Sequence, residues 1–209
     1  MDNQFKKFDI QKNIDKFESL MRKVRRKGKD KLLDYIRNET NFFHAPGAMI
    51  GAYAYEGGLL QRSLRAYELL KYRIEQKNWG NHTNEFFDND SIIVIGLLYN
   101  LAEANRFLLK DFPTESCYKQ VLQITDNKCY VKKEFVNTSV EEETITALIS
   151  RMQLKDYEYS AIRFRNNFRG YLNAETNINM DLLKNLISIL ALHEADLESE
   201  LIFIKKDLI

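Results

Sequence analysis

"DSIIVIGLLYNLAEANRF", residues 90–107, decides how the chain is read. From Ile92 to Leu98 nearly every position is apolar, and Asp90 or Ser91 offers an N-cap at the front. A helix that is apolar almost all round belongs at the centre of a helical domain, so the stretch predicts a mainly α fold packed around it. Within this predicted helix, which runs on through residue 107, Tyr99 and Asn100 stand side by side between Leu98 and Leu101. A buried phenol and a buried amide need partners, and what they do there is the question the sequence raises.

Outward from that stretch the periods are mostly helical. Phe5, Phe8, Ile14, Phe17, Leu20, Met21 and Val24 recur at spacings near three and four, the mark of an amphipathic first helix. A short helix over about 30–37 follows Gly28. "NFFHAPGAMIGAYAYEGG", residues 41–58, is broken by Pro46 and four glycines and reads as irregular. "LLQRSLRAYELLKYRI" resumes the helical period, and "NWGNHTNEFFDND", residues 78–90, reads as a loop. "YKQVLQITDNKCYVKKEF", residues 118–135, alternates apolar and polar residues on both sides of "TDNK" and predicts a β-hairpin. Ser139 caps a further helix, with Glu142 at the capping-box position. A short helix over 156–165 and a long one over 181–203 complete the chain. The last is expected to turn Leu182, Leu183, Leu186, Ile189, Leu190 and Leu197 inward. With no repeat or Gly/Ser linker, the expectation is one domain over 1–209 with a basic helical segment at 1–31.

Composition bounds the classes. The 209 residues are 44% hydrophobic and 29% charged, too apolar for a disordered chain. No apolar run approaches a membrane span, and "MDNQFKKFDI" lacks the apolar core of a signal peptide, so a cytoplasmic protein without membrane contact is expected. Cys117 and Cys129 flank the predicted turn and could form a disulfide, but an intracellular chain usually keeps such thiols reduced, and without a His cluster two cysteines make no zinc site; they read as packing residues. The net charge of +1 hides an asymmetry: residues 1–31 hold eleven Lys or Arg against five Asp or Glu, a balance of +6, which leaves −5 for the rest. Its sharpest part is Arg22, Lys23, Arg25, Arg26, Lys27, Lys29 and Lys31. Such a run is either a solvated helix face or a contact for nucleic-acid phosphates or an acidic partner. Trp79, Phe86 and Phe87 in the 78–90 loop are candidate interface anchors, or simply pack that loop onto the domain.

Catalytic signatures are sparse. No GxGxxG, Walker loop, CxxC or nucleophile elbow occurs. His44 and His82 read as loop residues, and His193 lies one helical turn before Asp196. A Ser63, His193 and Asp196 trio is the sort that any chain of this size offers. "EEE" at 141–143 suits a helix N-terminus.

"YEGGLLQRSLRAYELL" followed at a distance by "DSIIVIGLLYNLAEANRF" resembles the HD-domain metal-dependent phosphohydrolases. The nearest likeness is to small HD proteins of Firmicutes and their phages. "RKGKDKLLDYIRNETNFFHAPGA", "SAIRFRN" and "LALHEADLESELI" extend the resemblance over nearly the whole chain, in the family's order. The resemblance implies metal ligands at five positions, occupied here by Arg62, Tyr99, Asn100, Arg165 and Asp196. The His-Asp pair that names the family falls on Tyr99-Asn100, and the approach "GAYAYEGG" carries no His. Only Asp196 keeps a ligand. Arg has no lone pair to give and stays protonated, so two arginines at ligand positions repel a cation.

The expectation is therefore a catalytically inactive HD-like protein with no catalytic residues, no metal and no cofactor. Arg62 or Arg165 is expected to take the metal's place against Asp196, with Tyr99 or Asn100 donating nearby. The resemblance further implies a phage or mobile-element origin and a regulator or inhibitor that binds a host protein, transcription or defence machinery among the candidates. The alternatives are a phosphohydrolase with a rebuilt site, acting on nucleotides or nucleic acid, and a non-catalytic nucleic-acid binder working through residues 22–31.

Overall fold

A computed structural model describes residues 9–49, 51–76, 87–111, 128–133, 139–174 and 180–207. Among them are eight helices and one two-stranded antiparallel ladder, a mainly α chain with an inserted hairpin. The helices are α1 Ile10–Lys23, α2 Lys29–Asn38, α3 Gly58–Glu75, α4 Asn89–Leu98, α5 Val140–Ile149, α6 Asp156–Phe164, α7 Phe168–Ala174 and α8 Met180–Asp207. The strands are β1 Phe107–Asp111 and β2 Lys128–Lys132.

Helix α4 lies at the centre, buried along its whole length from Ser91 to Leu98. Its cap lies two residues before the earlier of the two the sequence suggests: Asp88 Oδ1 accepts from Ser91 N at 2.8 Å, and Asp90 instead accepts from Arg25 N at 2.8 Å. The helix also ends early. Tyr99 is still helical, but Asn100 leaves at φ −118°, ψ 23°, and a 3₁₀ turn over Leu101–Glu103 follows. The predicted helix to residue 107 is thus cut in two, because Asn105 takes a left-handed φ of 64°, a conformation Asn tolerates. Asn105 and Asn41 bind each other reciprocally, Asn105 N to Asn41 Oδ1 at 2.6 Å and Asn41 N to Asn105 Oδ1 at 3.0 Å. Strand β1 starts directly beyond that lock.

The described ladder has a first strand that the sequence did not mark. β2 pairs with β1, from Phe107 opposite Lys132 to Asp111 opposite Lys128. Residues 118–127, the predicted first strand and turn, and Cys117 lie outside the described residues. The described ladder joins segments some twenty residues apart, a pairing that no local pattern announces.

Helix α8 packs against α3 and α6. Its inner stripe is Leu182, Ile189, Leu192, Ala195 and Ser199, whereas Leu183 and Leu197 are 45% and 50% exposed. Leu182 and Ile189 face inward as the spacing predicts and Leu183 and Leu197 do not, while the small residues Ser188, Ala191, Ala195 and Ser199 are buried. Phe17 of α1 stacks with Phe42 and Phe43 at ring separations of 5.4 and 5.5 Å, anchoring the irregular 41–57 segment. Each such buried ring contributes about 1.5–3 kcal/mol.

Gly96 sets how near α4 comes to α3. A Cβ built there would stand 2.6 Å from Tyr67 Cα, a backbone atom with nowhere to go. Gly96→Ala is therefore expected to destabilise by about 1–3 kcal/mol through overpacking, although alanine is intrinsically the better helix former. Urea unfolding checks this; a variant as stable as the parent, or more so, would show that the helices separate freely.

Candidate functional site

Five segments bring their side chains to one buried place. The 41–57 segment folds back on the start of α3: Gly47 N donates to Tyr53 O at 2.9 Å, and Leu59 N to Ala45 O at 3.0 Å. This puts the Gly47 carbonyl beside Arg62, one turn into α3, and Arg62 Nη1 donates to it at 3.1 Å. From α8, Asp196 faces the same point. Arg62 Nε and Nη2 donate to Asp196 Oδ1 and Oδ2, each at 2.9 Å, a bidentate fork.

The end of α4 supplies the next contacts. Tyr99 is fully buried, and its hydroxyl donates to Asp196 Oδ1 at 2.5 Å. Asn100, also fully buried, accepts from Ser63 Oγ at 2.8 Å through its Oδ1. The end of α6 adds Arg165, whose Nη1 lies 3.5 Å from Asp196 Oδ2 and whose guanidinium carbon sits 4.7 Å from the Tyr99 ring centre. The side chains of Arg62, Arg165 and Asp196 are 14%, 5% and 10% exposed, so the pairing is shielded from bulk water.

Charges alternate outward from this centre. Glu200 approaches Arg62 Nη2 at 2.9 Å, and Glu141 approaches Arg165 Nη2 at 3.3 Å. Burial pushes the Asp196 carboxyl up, but the charges of Arg62 and Arg165, with hydrogen bonds from Arg62 and Tyr99, pull harder and leave it below the ordinary carboxylate value. Burial, and then the Asp196 charge, raises the Tyr99 phenol, so Tyr99 stays a donor. Tyr53 braces the same stretch of α8 by donating to Ser199 O at 2.9 Å, and burial moves its phenol up to about 12.

Of the five residues singled out by their positions in the sequence, Arg62, Tyr99, Arg165 and Asp196 therefore meet, while Asn100, next to Tyr99, turns its oxygen to Ser63. They do not fit a metal ion: the one carboxylate already accepts a guanidinium at both oxygens and a phenol at one, and a second guanidinium stands within 3.5 Å. A cation would have to displace Arg62 and tolerate Arg165. Among the described residues, no group of three or more His, Cys, Asp or Glu is placed to hold one. What the arrangement does chemically is tie α3, α4, α6 and α8 together through one shared carboxylate.

Several participants were not legible beforehand. Ser63 appeared only in the Ser-His-Asp trio, and its hydroxyl is spent on Asn100. The "EEE" triplet does more than suit a helix N-terminus: Glu141, Glu142 and Glu143 pair with Arg165 at 3.3 Å, Arg163 at 2.6 Å and Arg106 at 2.5 Å. A triplet of acids near three scattered arginines was the available signal.

The other candidates divide. Phe87 is 6% exposed and stacks edge-on against Tyr157 at 5.3 Å, so it packs the loop and is no free anchor; Trp79 and Phe86 lie outside the described residues. Arg26 also leaves the candidate contact surface. It forks onto Glu158, which is fully buried, at 2.5 Å on both sides. Lys29 is half-buried and donates to Arg22 O at 3.3 Å, capping α1. Arg22, Lys23, Arg25, Lys27 and Lys31 remain exposed. His44 meets Glu56 at 3.0 Å in an exposed loop pair, and His82 lies outside the described residues.

Comparison of the chain with protein-family models, with curated proteins and with solved structures finds no match in any of the three. Among the described residues no helix is long and apolar enough to cross a membrane.

Proposed function

We propose that this chain is a catalytically inactive HD-like protein that works by binding another macromolecule. The observation that carries the reading is the Arg62–Asp196 fork at the point where the resemblance would seat a metal. A metal-activated water needs lone pairs converging on a cation, and here the converging groups include two guanidinium cations that have none to give. The retained carboxylate serves as a structural tie, which leaves the molecule's exterior for function. With the resemblance to small phage-borne HD proteins, the role that follows is a phage- or mobile-element-encoded regulator or inhibitor of a host protein, with transcription or defence machinery as the targets to examine first.

Two measurements test this. Elemental analysis of the purified protein is expected to find Mn, Fe, Co, Ni and Zn all far below one per chain. Added divalent metals are expected to elicit no hydrolysis of nucleotides or phosphodiesters. A stoichiometric metal, or metal-dependent hydrolysis that Asp196→Asn abolishes, would establish the rebuilt phosphohydrolase instead. Affinity capture from a bacterial lysate treated with nuclease is expected to retain a discrete protein partner; nuclease-sensitive capture alone would count against a protein target.

A further inference from the structure

We infer that the corner joining α1 to α2 is a second working surface, a sequence-nonspecific contact for the phosphate backbone of double-stranded DNA. The inference goes beyond the reading above and holds whether or not the central site is catalytic.

The sequence shows only a run of cations; the structure sorts them. Residues 24–27 leave the helix and alternate: Val24 is fully buried, Arg25 is exposed, Arg26 turns in with 12% of its side chain exposed, and Lys27 is exposed. Val24 to Arg26 run without helix and Lys27 opens a turn that Lys29 N closes on Arg26 O at 3.4 Å, so Arg25 and Lys27 stand exposed on either side of the inward Arg26. The corner is held hard from behind. Arg26 forks onto buried Glu158, Arg25 N donates to Asp90 Oδ2 at 2.8 Å, and Gly28 turns with φ 91° against the Arg151 carbonyl. The outward cations therefore stand on a fixed backbone, which lowers the ordering cost of contact.

Lys23, Arg25, Lys27 and Lys31 are exposed and make no side-chain ion pair among the described residues. Asp30 is the one acid within 22–33, and Asp34 is occupied with Arg37 at 3.8 Å. Four unpaired cations within nine residues fit a polyanion. A protein partner fits less well: three of the four are lysines, which protein interfaces disfavour, and the apolar side chains between 22 and 34, Val24, Leu32 and Leu33, are all buried, leaving no anchor. Single strands fit less well too, because no aromatic residue lies in 22–34 to stack a base.

The test is fluorescence anisotropy of the full chain with a mixed-sequence DNA duplex across a salt series. Neutralising four phosphates predicts a log–log salt slope of about −3.6, so affinity should fall roughly 100-fold between 50 and 200 mM salt. The R25A/K27A double variant, which leaves Arg26 in place, should bring the slope to about −1.8 and weaken binding at low salt by at least about tenfold. Its unfolding curve should match the parent's, which keeps folding out of the result. Binding that this variant leaves unchanged would overturn the proposal. So would tighter binding to a single strand of the same length, or equal binding to polyglutamate, which would make the corner a general acidic-partner contact.

Discussion

Asp196→Ala is expected to destabilise the protein by roughly 3 kcal/mol or more, several times what an exposed substitution costs. The reason lies in what is left behind. Arg62 would keep the Gly47 carbonyl and the half-exposed Glu200, but Arg165 would keep Glu141 at 3.3 Å as its one ion pair among the described residues beside the Tyr99 ring, with its Nε already unpartnered there. Tyr99 would lose the acceptor for a fully buried hydroxyl. Two shielded cations and a phenol would then lack the charge that holds them together. Chemical unfolding of Asp196→Ala beside an exposed control such as Glu75→Ala measures the difference. A midpoint equal to the parent's would show that the carboxylate is dispensable.

The same contribution should depend on pH. Asp196 titrates lower in the folded chain than in the unfolded one, so the unfolded state binds its proton first as acid is added. Its stabilisation is then fully present above the unfolded carboxylate value of about 3.9 and is lost as pH falls through the lower folded value. The stability gap between parent and Asp196→Asn should accordingly be widest near neutrality and close in strong acid. Arg62→Met combined with Asp196→Leu should cost less than Asp196→Ala alone, because an apolar pair of similar volume leaves less uncompensated charge in the centre.

What the sequence disclosed depends on the range over which each force acts. Helices α1, α3 and α8 were legible because apolar spacing is local and repeats over many turns. The five residues of the central site were legible only through order along the chain, since Arg62 and Asp196 are 134 positions apart and no propensity links them. The end of α4 was misread because Leu97, Leu98 and Leu101 keep helical spacing across Asn100. The break is enforced from outside, by Ser63 on the Asn100 side chain and by Asn41 on Asn105. Leu183 and Leu197 of α8 were misread for the opposite reason. Leucine marks apolar content, but closeness of packing there is set by alanine and serine.

The least legible feature is predicted to be among the strongest. Arg26 looked like one cation among seven and Glu158 like an ordinary acid in a short helix, yet Arg26→Ala should cost about 3–5 kcal/mol. Glu158 is fully buried, and with Arg26 removed the hydrogen bond left to it among the described residues comes from Lys155 N at 2.8 Å, one backbone donor for a carboxylate out of water. Arg26 also donates to Ser91 Oγ at 3.0 Å, and Ser91 lies 2.5 Å from the Tyr157 hydroxyl, so the pair ties the α1–α2 corner to the starts of α4 and α6. Glu158→Ala should cost less than Arg26→Ala, because Arg26 would keep Ser91 and the Asp88 carboxylate 3.9 Å away. An ordering of that kind separates a buried charge left alone from mere loss of packing, which would penalise the two truncations similarly. Arg25→Ala, one residue away and exposed, should leave the unfolding midpoint within about 0.5 kcal/mol of the parent. If Arg25→Ala and Arg26→Ala proved equally mild, the fork onto Glu158 would not hold in solution, and the corner would lose the rigid backing that makes its outward cations a surface.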